Sequence, residues 1–267
     1  MLSARHITVT FGRKAALHGV DFTARAGQVT AIVGPNGSGK TTLLRALTGE
    51  VDHTGTVTLD GTDIATMKGW ELAARRAVLP QAAVLAFPFT VIEVVRMGLS
   101  GGTSGADWSV PQQALERVGL GSYAQRFYQE LSGGKQQRAQ LARVLAQVWQ
   151  PVFRGHTRWL LLDEPVASLD IAHQLVVMGI ARDFAHAGGG VVTVMHDLNL
   201  TAMFADTETV MAEGCVVAQG ATAQVMTDTI LSHAYGCALR VCATPPAGAT
   251  FLLPHTARLT ADLRETG

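Results

Sequence analysis

The sequence predicts an α/β fold: a parallel sheet covered by helices, an antiparallel β region near the N-terminus and a helical insertion in mid-chain. Three observations predict it. Val29-Thr30-Ala31-Ile32-Val33, Trp159-Leu160-Leu161-Leu162 and Val191-Val192-Thr193-Val194-Met195 are nearly continuous apolar runs, the pattern of strands buried on both faces. Thr56-Val57-Thr58-Leu59 alternates instead, as a sheet with one buried face does. Between about residues 82 and 150 the pattern turns helical.

In chain order the expected strands are 7–10, 20–24, 29–33, 55–59, 159–162 and 191–195. Residues 90–97 and 111–118 read as short amphipathic helices, separated by the glycine-rich stretch 100–105, which reads as a surface loop. The clearest helix covers 134–148. There Leu141, Val144, Leu145 and Val148 recur at helical spacing, while Gln137, Arg138, Gln140 and Arg143 take other faces. The division expected is one domain over 1–240, with a helical subdomain at about 82–150, and an extension over 241–267 that holds Pro245, Pro246 and Pro254.

The chain has 267 residues, with 21 acidic and 21 basic side chains. That balance argues against a nucleic-acid or anionic-membrane binder, either of which needs a basic surplus on one face. Cys215, Cys237 and Cys242 are odd in number and lack metal-ligand spacing, which suits reduced thiols. Met1 to His6 contain no apolar segment of the secretory kind, and no apolar run nears the ~18–20 residues that span a bilayer. Service to a membrane would run through a partner.

Gly34-Pro35-Asn36-Gly37-Ser38-Gly39-Lys40-Thr41 fits G-x-x-x-x-G-K-[ST] between an apolar strand and a helical pattern, the context that motif requires. Glycines let backbone N–H groups wrap phosphates, and the following helix N-terminus adds partial positive charge. Lys40 can reach the β and γ phosphates of ATP, and the Thr41 hydroxyl can ligate Mg²⁺. Thr42 completes the expected nucleotide contacts. Leu160-Leu161-Leu162-Asp163-Glu164 is a buried strand ending in two acids. Asp163 suits Mg²⁺, and Glu164 can take a proton from the water that attacks the γ phosphate. Leu131-Ser132-Gly133-Gly134-Lys135 opens the strong helix. It is either a second anion site, which makes sense if two copies share each ATP, or simply a helix cap.

With Ser168-Leu169-Asp170 and His196, these motifs stand in the order of the ATPases of ABC transporters, which residues 1–240 resemble. The resemblance implies a P-loop NTPase (RecA-like) core of ABC ATPase type. It makes Phe11 the adenine-stacking aromatic, and Gln81 the loop glutamine that touches Mg²⁺ and links the core to the helical region. Asp170 becomes the acid that crosses a dimer interface, and His196 the histidine that reads the γ phosphate. Lys40, Gln81, Glu164 and His196 are then the catalytic set; Thr41, Gln81 and Asp163 hold the metal; Ser132, Gly133, Gly134 and Asp170 complete the nucleotide site.

The wording Gln140 to Trp149, Ala167 to Gln174 and Met195 to Asp206 is similar to the ATPases of bacterial haem importers, within a group that also carries ferric siderophores and vitamin B12. Eleven residues, 148–158, also separate the helix from the Asp-Glu strand, a longer link than most members have. The resemblance implies a peripheral protein at the cytoplasmic face of the inner membrane. A second copy would bind head to tail around two ATP molecules. Two permease subunits and, indirectly, a periplasmic binding protein would complete the complex, without nucleic acid. The competing readings are a soluble, non-transport ABC ATPase and a P-loop kinase. The nine histidines are scattered and read as surface or interface groups, as for His173 and His233, not as haem ligands. Trp70, Trp149 and Trp159 are expected to anchor packing. Phe87-Pro88-Phe89-Thr90 is either a permease contact or internal core.

Overall fold

A computed structural model describes residues 1–81, 85, 87–101 and 107–257. The chain divides into two compact units, residues 1–66 with 194–257, and residues 67–193.

In the first unit, Lys14–Ala24, Leu2–Phe11, Thr54–Leu59 and Thr62–Asp63 lie in that order in an antiparallel sheet. Leu2, Ala4, Ile7 and Val9 alternate into the core from the second of these, and Leu17, Val20, Phe22 and Ala24 from the first. The same unit carries the strand Val29–Val33, all five residues buried. It pairs in parallel with Thr207–Ala212, placing Glu208 opposite Ala31. Cys215–Ala221 closes antiparallel on Thr207–Ala212. Strands 207–212 and 215–221 were not expected from sequence.

In the second unit, Arg76–Leu79 pairs in parallel with Trp159–Asp163, and Gly190–Val194 lies on the other side of Trp159–Asp163. Every residue of Trp159–Asp163 and Gly190–Val194 is buried, as parallel strands covered on both faces require. The helical insertion consists of Val91–Gly101, Val110–Arg117 and Gly133–Gln147, with short 3₁₀ turns. The first and last pack closely at Gly98, where an added Cβ would stand 2.1 Å from the Arg143 carbonyl oxygen. A small hairpin, Val152–Phe153 with His156–Thr157, accounts for the extra length before the Trp159 strand.

Two expectations change, and one helix is more deeply buried than its apolar stripe requires. Ser100 and Gly101 continue the Val91–Gly101 helix instead of opening a loop; the rest of that expected loop, 102–105, falls outside the described residues. Trp70 does not anchor packing, being 68% exposed, whereas Trp159 is fully buried. Arg138 and Gln140 are buried, because the helix Gly133–Gln147 is covered on more than its apolar stripe. The Arg138 guanidinium donates to the Val118 carbonyl at 2.7 Å, and Gln140 donates to the Tyr128 hydroxyl. Among the described residues, no helix is long and apolar enough to cross a membrane.

Candidate active site

Strand Val29–Val33 delivers its chain into a loop that only glycine can begin. Gly34 has φ 146°, and an added Cβ would lie 2.1 Å from the Met211 carbonyl oxygen. Gly37 and Gly39 also take positive φ, so the loop curls back on itself before the helix Lys40–Thr48. No side chain caps that helix, which leaves its first-turn N–H groups for an anion. Lys40 is 5% exposed. Its ammonium donates to the carbonyls of Gly34 and Pro35, each at 2.9 Å. Both contacts lie within the loop that Lys40 itself closes. The buried Ser38 hydroxyl has no hydrogen-bond partner among the described residues. Thr41 and Thr42 are half-buried on the first turn, while Asn36 and Gly37 are exposed at the loop tip.

The same unit holds Phe11 and His196. Phe11 ends its strand with 55% of its surface exposed, free to offer a ring face. His196 is exposed, directly after the buried Met195. The next residue, Asp197, caps the helix Leu198–Phe204 by accepting from the Asn199 and Leu200 amides. That cap fixes the backbone on which His196 sits.

The second unit assembles the acids. Asp163 ends the buried strand Trp159–Asp163 and is itself 4% exposed. Glu164 follows with φ 50°, a left-handed conformation that non-glycine residues rarely adopt. Two contacts hold it there. Gln81 donates its side-chain amide to a Glu164 carboxylate oxygen at 3.0 Å, and Gln137 donates to the Glu164 carbonyl at 2.9 Å. Two of the expected site residues, Gln81 and Glu164, are therefore brought together. From sequence Gln137 is only a residue off the apolar stripe, with nothing in its spacing to link it to a strand end 27 residues on.

Ser132 is the N-cap of Gly133–Gln147, but its hydroxyl makes no capping bond. Ser132 and Gly133 are exposed, and Gly134 is half-buried against the Ser168 carbonyl and Leu169, where a Cβ would come within 3.1 and 3.2 Å. Lys135 in the first turn donates to the Tyr123 hydroxyl at 2.9 Å. Asp170 caps Ile171–His186 by accepting from the His173 amide, and its carboxylate also meets the His173 ring at 2.8 Å. The backbone bond from His173 is the main reason its carboxyl stays below the usual range, followed by the ring contact. His173 thus orients Asp170.

Thr41, Gln81 and Asp163 all offer oxygen donors, the hard type that suits Mg²⁺. The uncapped helix start and the unpartnered Ser38 hydroxyl suit a phosphate chain. No group of three or more His, Cys, Asp or Glu side chains forms a metal cluster among the described residues, and the three cysteines are free and exposed.

The sequence pattern of the ABC transporter family matches residues 17–167. The chain is 64% identical to the hemin import ATP-binding protein of Jannaschia sp. (strain CCS1), over 97% of this chain and 96% of that one. Its identity to the protein of the same name from Rhizobium meliloti (strain 1021) is 53%, over 97% of this chain and all of that one. Among solved structures, a dimeric bacterial ABC transporter cassette superposes with a TM-score of 0.72 at 27% identity, covering 83% of this chain and 99% of that one. A post-hydrolysis cassette bound to ADP and phosphate gives 0.72 at 26%, with the same coverage. The chain belongs to the ABC transporter family, the same family as these hemin import ATP-binding proteins.

Proposed function

We propose that this chain is the ATP-hydrolysing subunit of a bacterial haem importer. The observation that carries the reading is the 64% identity to a hemin import ATP-binding protein over 97% of the chain, in a chain whose phosphate loop and strand-end acids are both built. Residues 1–240 act as the ATPase, with 82–150 as its helical subdomain and 241–267 as an extension. The protein works peripherally at the cytoplasmic face of the inner membrane.

The residues divide the labour by their chemistry. Phe11 stacks on adenine. The loop from Gly34 to Thr42 wraps the triphosphate with backbone N–H groups, and Lys40 exchanges its loop carbonyls for phosphate oxygens. Thr41, Asp163 and Gln81 hold Mg²⁺, which when bound neutralises charge on the phosphates. Glu164 takes a proton from the attacking water as the bond between the γ phosphorus and its bridging oxygen breaks, and ADP departs with that oxygen. His196 reads the γ phosphate. Ser132, Gly133 and Gly134 of a second copy, with their uncapped helix start, close over the same phosphate, and Asp170 supports the contact between copies. Closure on ATP and release after hydrolysis supply the motion.

Two permease subunits receive that motion, and a periplasmic binding protein feeds them. Their contact falls in the helical region. Phe87, Met97 and Trp108 are exposed there, and a groove of about 380 Å³ is lined by Phe89, Arg96, Met97 and Trp108 among others. Phe87 is 68% exposed and so is not internal core.

The test is growth of the source bacterium carrying Lys40→Ala with haem as sole iron source, beside cultures on a ferric siderophore and on vitamin B12. Loss of growth on haem alone is the expected result. A defect confined to the siderophore or the vitamin reassigns the cargo. Normal growth in all three removes the importer reading and turns attention to a non-transport ATPase.

A further inference from the structure

Glu208 is fully buried, and neither carboxylate oxygen has a hydrogen-bond partner among the described residues. The same is true of the Tyr235 hydroxyl. Leaving three such atoms buried and unpaired is costly, most of all for a carboxylate. Their placement gives the cost a purpose. Glu208 lies on Thr207–Ala212, the strand that runs parallel to Val29–Val33 and puts its Met211 carbonyl against Gly34. Tyr235 ends the helix Asp228–Tyr235. Its hydroxyl is close enough to be influenced by both the Glu208 carboxyl and the Gly34 backbone amide, with a hydrogen bond to neither. The carbonyl of the same residue, Gly34, accepts from the Lys40 ammonium at 2.9 Å.

We propose that Glu208 and Tyr235 are positioning residues for the phosphate loop, holding Gly34 from behind and setting, through the proton on Glu208, how readily Lys40 leaves its carbonyl for a nucleotide phosphate. An ionised Glu208 acts on the Tyr235 hydroxyl through its charge, which polarises that oxygen toward the Gly34 N–H and firms the loop. It also sets a negative charge behind a loop that must take a polyanion. A protonated Glu208 does neither. Burial pushes its carboxyl up to about 7, so the two forms exchange near neutral pH.

The neighbouring elements offer Glu208 no competing charge. Val29–Val33 and Thr222–Val225 contain no titratable side chain, and Cys215 on Cys215–Ala221 is exposed. On Asp228–Tyr235, Asp228 accepts from the Val241 amide and His233 is exposed, leaving Tyr235 as the group that faces Glu208. Lys40 points its ammonium at the two loop carbonyls.

This inference rests on reading residues 34–41 as the phosphate loop, and the experiment separates the two. Equilibrium binding of a fluorescent ATP analogue is measured between about pH 6 and pH 8.5, either side of the Glu208 value, for wild type, Glu208→Gln, Tyr235→Phe and Lys40→Ala. The nucleotide itself titrates in this range, so the reading is the difference between wild type and each variant. In wild type the dissociation constant rises roughly threefold or more beyond the rise seen in Glu208→Gln, which keeps the low-pH affinity. Tyr235→Phe also loses the excess slope, since the link to Gly34 is cut. Hydrolysis follows as a rise in KM that exceeds any fall in kcat. A wild-type slope in either variant overturns the proposal. Both substitutions are nearly isosteric; if one fails to fold by circular dichroism, the slope of the other decides. Undiminished binding in Lys40→Ala overturns the phosphate-loop reading itself, whereas lost binding there with unchanged slopes in the other two overturns only the positioning role.

Discussion

The Gln81 side chain donates to the Glu164 carboxylate across 3.0 Å, and Glu164 receives it from a left-handed backbone with φ 50°. A strained residue of this kind costs on the order of 1–3 kcal/mol and persists only where its surroundings insist on it. Here the insistence comes from both ends of the residue, Gln81 on the carboxylate and Gln137 on the carbonyl. The direction of the carboxylate is therefore set by the chain's own side chains.

Replacing Glu164 by Gln keeps the shape and the Gln81 contact in reach but removes the base. ATP turnover falls by about a hundredfold to a thousandfold, the range of a lost general base, while nucleotide still binds. Because the release step is blocked, a closed dimer accumulates with ATP, visible by light scattering. Ordinary turnover in that variant removes Glu164 from the role.

Gln137 offers a subtler handle on the same residue. Gln137→Ala frees the Glu164 carbonyl without touching its carboxylate, and the backbone can relax from its left-handed state. One hydrogen bond of this kind is worth about 1 kcal/mol, so kcat drops roughly fivefold to tenfold, with KM for ATP moved much less. Steady-state kinetics reads the split; a change confined to KM places Gln137 outside the positioning of the base.

The glycines of the loop are not equivalent. Gly34→Ala drives a Cβ to 2.1 Å from the Met211 carbonyl oxygen, whereas Gly37, at φ 79°, has nothing within 4 Å of its Cβ position. Gly34→Ala destabilises by about 3 kcal/mol or more, through backbone displacement, and Gly37→Ala by about 1 kcal/mol, through dihedral strain alone. Denaturant midpoints of the two variants test the order. Equal losses mean that the strand carrying Met211 yields easily.

What could be read from the sequence was what lies contiguous in it. The phosphate loop and the Asp163-Glu164 strand end are single runs of residues whose chemistry needs no distant partner, and the three nearly all-apolar strands announce themselves by burial on both faces. Gln81 meets Glu164 across 83 residues, which only the pairing of Arg76–Leu79 with Trp159–Asp163 makes short. Strand Thr207–Ala212 was hidden because Thr207, Glu208 and Thr209 break the apolar pattern. Yet Glu208 and Thr209 are fully buried, so the polarity that concealed the strand is itself one of its unusual features. Ser100 and Gly101 misled in the opposite sense: loop-forming residues stay helical because the close crossing at Gly98 holds that helix against its neighbour.

Glu208 also leaves a signature on stability. Its carboxyl lies near 4.5 when solvated and is raised to about 7 by burial, so the folded state holds its proton over a range where the unfolded chain has lost it. Stability is then greatest below the unfolded value, declines as pH rises from about 4.5 to about 7, and levels off above. The decline is on the order of 3 kcal/mol, from about 1.4 kcal/mol per pH unit. Glu93, Asp107 and Asp170 shift the other way, held down first by Thr90, Ser109 and His173 respectively. What they contribute is present above their unfolded values and lost only as pH falls below them, outside the window of Glu208. Urea unfolding at pH 5 and pH 8 therefore isolates the buried acid when wild type is set beside Glu208→Gln. The wild-type midpoint drops between the two conditions by clearly more than the variant's. Equal drops leave Glu208 without a proton to lose in this range.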